Sequence, residues 1–132
     1  MSKYSLKLSK LVSPNTKIKV LELCKNDESI FQSFISEIEK DKKLFNQLSA
    51  AVSIVENSAN LRTMPKGKFR PIEGHNLNCK VYEAKKGSIR VYLFHQENTG
   101  RIIVTGGKKG NQKKDIKSII KTIQDYYNEQ RE

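Results

Sequence analysis

The chain has 132 residues, with 25 Lys and Arg against 14 Asp and Glu, a formal net charge of +11. That length suits one domain, and 36% hydrophobic residues with no Trp fill a single modest core. No run of 18 apolar residues occurs and lysines break up the first eight positions, so neither a membrane span nor a secretory signal is expected.

Cys24, Cys79, His75 and His95 have no metal-ligand spacing, and two cysteines build no disulfide framework. A cytoplasmic protein without metal or cofactor is the expectation.

Residues 1–16 read as an N-terminal extension. Residues 17–23 alternate as a strand does. Asn26 or Asp27 can cap the helix that follows, whose Ile30, Phe31, Phe34, Ile35 and Ile38 share one face. Asp41 can cap a second helix, striped by Leu44, Leu48, Ala51, Val52 and Val55. The short link between them predicts an antiparallel pair. Residues 57–74 hold two of the three prolines and two of the seven glycines and read mostly as loop.

Three strands are predicted next, over 79–85, 88–95 and 101–105. Their hairpin spacings make an antiparallel meander. Residues 106–111 read as a glycine-rich turn, able to offer N–H groups to an anion beside Lys108 and Lys109. It is no nucleotide-hydrolysing P-loop, because the G-x-x-x-x-G-K-[ST] pattern is absent. Ile116, Ile119, Ile120, Ile123 and Tyr127 mark a last helix, with Lys113, Lys117 and Lys121 as a basic ridge. The whole reads as one α+β domain over 1–132, with two N-terminal helices on one face of a small antiparallel sheet and the other face open.

Alternation sorts the strand residues by face. Ile89, Val91 and Leu93 point to the helices, and Arg90, Tyr92 and Phe94 line the open face. Glu83 and Lys85 fall beside Arg90. Residues 62–121 carry 15 basic and 4 acidic side chains, which points to a polyanionic partner. Arginine forks onto phosphate and aromatic rings stack on bases, so this face is the candidate binding surface. His75, in a polar loop, is a candidate acid–base group. No serine sits in a nucleophile-elbow context.

Two segments carry a resemblance: Val81-Tyr82-Glu83-Ala84-Lys85-Lys86-Gly87-Ser88-Ile89-Arg90-Val91-Tyr92-Leu93-Phe94, and the stretch from Gly100-Arg101 to Gln112-Lys113-Lys114. Together they resemble the RelE/ParE superfamily of bacterial toxins, particularly its HigB-like and phage-derived branch. The likeness covers residues 62–125, about half the chain, and is architectural over 17–57. It implies a toxin paired with an antitoxin protein, and for the ribonuclease members cleavage of mRNA on the ribosome. Carried onto this chain, the family's sheet arginine is Arg90, its basic turn is Lys108 and Lys109, and its charged strand end is Glu83 and Lys85. Lys85 stands where the family has arginine, and no tyrosine clearly matches the one that some members place near the chain end.

Attack by a ribose 2′-hydroxyl needs a base, an acid and cations for the phosphorane charge, and no metal. The expected set is Arg90 and Lys109 as charge stabilisers, with Glu83, a lysine such as Lys85, or His75 as base. Lys108, Lys113, Lys117, Lys121, Tyr92 and Phe94 are the expected RNA contacts. The alternatives are a non-catalytic ParE-like toxin that binds a topoisomerase, and an RNA- or ribosome-binding module.

Overall fold

The computed structural model describes residues 3–131, and its elements run in the order β1 (Tyr4–Leu8), β2 (Val20–Lys25), β3 (Glu28–Ser29), α1 (Ile30–Ile38), α2 (Lys42–Ala59), β4 (Phe69–Ile72), β5 (Lys80–Lys86), β6 (Ile89–Gln96), β7 (Gly100–Lys108) and α3 (Gln112–Gln130). One seven-stranded sheet has the order β1-β2-β7-β6-β5-β4, with the two-residue β3 paired to β2. The β5–β6–β7 meander is antiparallel as expected, but β2 lies parallel to β7, so the sheet is mixed. The fold class is α+β with a larger sheet than the sequence suggested. Among the described residues no helix is long and apolar enough to cross a membrane.

The extra strands have clear local causes. Residues 4–8 belong to the sheet, where Tyr4 buries its ring and Leu6 pairs with Leu23. β4 contains Pro71, which argues against an interior strand, but β4 is an edge, where a missing N–H is tolerated. Asn26 and Asp27 do not cap α1. With φ of 53° and 67° they form the two-residue turn between β2 and β3. Ser29 is the cap, accepting from the Gln32 amide at 3.2 Å, while Asp41 caps α2 as predicted.

Helices cover both faces. On one, α1 and α2 pack on Val20, Ala84, Ile89, Val91, Leu93 and Ile103. On the other, α3 lays Ile119, Ile123 and Tyr126 over Leu23, Val81, Tyr92, Phe94, Ile102 and Val104. The alternation of β6 is therefore as predicted, but the face expected to be open is the floor of a second core. The apolar stripe of α3 has no other surface to bury against, and a sheet face carrying Tyr92 and Phe94 offers one.

The predicted glycine turn at 106–111 begins three residues late, because Gly106, Gly107 and Lys108 are strand residues paired with Val91, Arg90 and Ile89. The missing side chains of the two glycines serve close packing. A Cβ on Gly106 would collide with the Phe34 ring from α1, and one on Gly107 with the Asp115 carboxylate from α3.

Candidate nucleic-acid interface

Among the exposed lysines of the middle segment, four meet at one end of the sheet and three line α3, while Lys80 lies at the other end of β5. Lys85 and Lys86 end β5, and Lys108 and Lys109 lie at the end of β7, at the same end of the sheet. The Lys109 amide donates to the Ser88 carbonyl at 2.7 Å, so the strand end and the β5–β6 turn are tied together. α3 starts three residues later and carries Lys113, Lys117 and Lys121 down one flank, all exposed. Four-residue spacing keeps these three on one side of the helix.

That flank is one wall of a cleft of about 630 Å³. The opposite wall is the loop after β4, where Gly74 adopts a φ of 82° and turns the chain back towards the helix. Ile72, Ile116 and Ile120 line it as apolar groups, His75 and Asn76 are polar wall, and Glu73 and Asp125 are its acids. The Leu77 amide donates to His75 Nδ1 at 3.2 Å. That bond leaves the proton of a neutral ring on Nε2. Lys121 pairs with Asp125 at 3.7 Å. Among the described residues, Lys85, Lys86, Lys108, Lys109, Lys113 and Lys117 form no ion pair.

Under the first turn of α3 lies a polar cluster. Glu83 is fully buried, accepting from Arg70 Nε at 3.0 Å and from Gln112 Nε2 at 3.1 Å. Arg90, only 3% exposed, donates through Nη1 to the Gly87 and Ile89 carbonyls at 2.7 and 3.1 Å. Its Nε, and the hydroxyl of buried Tyr92, find no partner among the described residues. Burial pushes the Tyr92 phenol well above its ordinary value, and the charges of Glu83 and Asp115 add to this. Burial also raises the Asp115 carboxyl, partly offset by Lys114.

The expected site residues thus divide. Lys108, Lys109, Lys113, Lys117 and Lys121 are exposed, and His75 joins the last three at the cleft. Arg90 and Glu83 share a sheet face as expected, but α3 seals it, whereas Lys85 on the same strand end is exposed. Tyr92 and Phe94 are core residues rather than a stacking surface. Phe94 has its ring 5.8 Å from those of Tyr126 and Tyr127. Sequence reasoning missed Arg70, Gln112 and Asp115. The only signal was the position of Asp115 one turn into a helix that had to cross a sheet.

Comparison of the chain with protein-family models, with curated proteins and with solved structures found no match.

Proposed function

We propose that this chain binds RNA through its lysine side, with the sugar–phosphate backbone following the α3 cleft and the basic end of the sheet. The observation that carries the reading is the run of exposed lysines, Lys113 and Lys117 on the cleft wall and Lys85, Lys86, Lys108 and Lys109 beyond it, without a carboxylate partner among the described residues. Unpaired like charges repel one another and are relieved when phosphates displace their counterions. RNA rather than DNA is favoured by the resemblance of residues 62–125. The test is binding of a labelled single-stranded RNA at low salt, with the triple variant Lys113→Ala, Lys117→Ala and Lys121→Ala beside the parent chain. The variant is expected to bind at least tenfold more weakly with an unchanged circular dichroism spectrum; equal binding by the two proteins would refute the cleft as the contact surface.

A second reading is the ribosome-dependent mRNA endoribonuclease of a toxin–antitoxin pair, with an acidic antitoxin neutralising the same lysines. One observation favours it: Glu83 and Arg90 lie on one sheet face, next to exposed Lys85 and close to Lys108 and Lys109. In this reading the first turn of α3 moves aside, because a phosphate cannot otherwise reach the Arg90 guanidinium. Induced expression followed by mapping of mRNA ends separates the two readings. New ends that vanish with Arg90→Ala are the signature of cleavage; growth without new ends leaves binding alone.

A further inference from the structure

We propose that a second cavity, adjoining the lysine cleft, takes one unstacked nucleobase of the bound strand. The inference rests on the RNA-binding reading and adds to it that the strand is single and is gripped by a base as well as by phosphates.

The cavity measures about 520 Å³, within the range of small-ligand sites. It lies where β5 begins and β6 ends, against the C-terminal half of α3. It shares Asn76, Leu77 and Gln124 with the lysine cleft, so the two are neighbours along the same helix. A backbone held by Lys113 and Lys117 can therefore turn a base into it.

Its chemistry suits a neutral heteroaromatic ring. Asn76, Asn78, Gln96 and Gln124 supply amides, which offer donor and acceptor together and no charge. Tyr127 supplies an aromatic wall, with Cys79 beside it in the lining. Two amides are half used. Gln96 Oε1 accepts from the Tyr126 hydroxyl at 2.7 Å, which leaves the Gln96 amino group as a donor. The Gln124 amino group donates to Asn128 at 3.0 Å, which leaves the Gln124 oxygen as an acceptor. His95 also lines the cavity. Its Nε2 is 3.9 Å from Glu97. A base edge supplies donor and acceptor at once, matching the free amino group of Gln96 and the free oxygen of Gln124. Lys80, Arg131 and Glu97 also line the cavity, so its charged lining is mixed and its neutral contacts come from the four amides and Tyr127.

Fluorescence anisotropy tests this with labelled ten-nucleotide RNAs of A, C or U and an abasic ribose–phosphate chain of equal length and charge. The parent protein should bind at least one homopolymer about tenfold more tightly than the abasic chain. Asn78→Ala and Gln124→Leu should each erase that preference and leave affinity for the abasic chain unchanged. Asn78 is exposed, so its variant folds even if the Gln124 variant does not. Lys117→Ala should weaken all four probes alike. If the abasic chain binds as tightly as every homopolymer, or if both amide variants keep the preference, the base pocket is wrong and the lysine reading stands. If no probe binds, both fall.

Discussion

Arg90 changes meaning between chain and fold. Period-two alternation correctly puts it opposite Ile89 and Val91, but alternation says nothing about what covers a face. An exposed arginine removed from a strand costs less than about 0.5 kcal/mol. Here Arg90→Ala strips the Gly87 and Ile89 carbonyls of their guanidinium donor and leaves a cavity beside buried Tyr92. The expected loss is about 1–3 kcal/mol, read as a lower urea midpoint at constant slope. A loss under 0.5 kcal/mol would mean that α3 does not cover Arg90 in solution. The same measurement bears on toxicity assays, since a destabilised variant loses function whether or not Arg90 touches substrate. Glu83 was legible as a basic-face carboxylate, but its partners Arg70 and Gln112 lie 13 and 29 residues away in sequence, and only the pairing of β4 with β5 and the docking of α3 unite them.

At the scale of elements, strong periodicity was readable and edges were not. The stripe of α2, the Asp41 cap and the β5–β6–β7 meander follow from local pattern, because each element satisfies its own backbone or that of its sequence neighbour. β1 and β4 are only 5 and 4 residues long and reach β2 and β5 through loops rather than tight hairpin turns, so their short runs carry little local signal. Gly106 and Gly107 mislead for a related reason. Glycine is read as a turn former, yet here it admits Phe34 and Asp115 against the strand. α3 was found but its docking was not, because a helix stripe shows that a face is buried without saying against what. The docked helix has a measurable signature in the tyrosines. Burial raises Tyr4, Tyr92, Tyr126 and Tyr127 above the ordinary phenol value. A phenol raised in the folded state ionises first in the unfolded chain. Its contribution is therefore intact below about pH 10 and is lost as pH rises towards the folded value. Absorbance at 295 nm should show Tyr4, Tyr92, Tyr126 and Tyr127 ionising only as the fold is lost. Smooth titration of these four near pH 10 with secondary structure retained would mean that α3 is not docked.

For the whole molecule, the charge distribution was the most legible functional signal, since it needs only counting. Lys85, Lys86, Lys108 and Lys109 come together because β5 and β7 end at the same end of the sheet, where α3 starts three residues later, which no count could reveal. The cleft itself was illegible, as its two walls, the loop after β4 and the helix after β7, are about 40 residues apart in the chain. The central claim is that these lysines contact phosphates, and its most direct measurement is the salt dependence of binding to a single-stranded RNA. Each phosphate contact contributes about 0.7 to the slope of log K against log salt concentration. The double variant Lys113→Ala and Lys117→Ala should therefore lose about 1.4 from the slope of the parent chain, with its melting temperature unchanged. A parent chain whose affinity does not fall with salt, or a double variant with the parent's slope, would contradict the assignment of RNA to this side of the molecule.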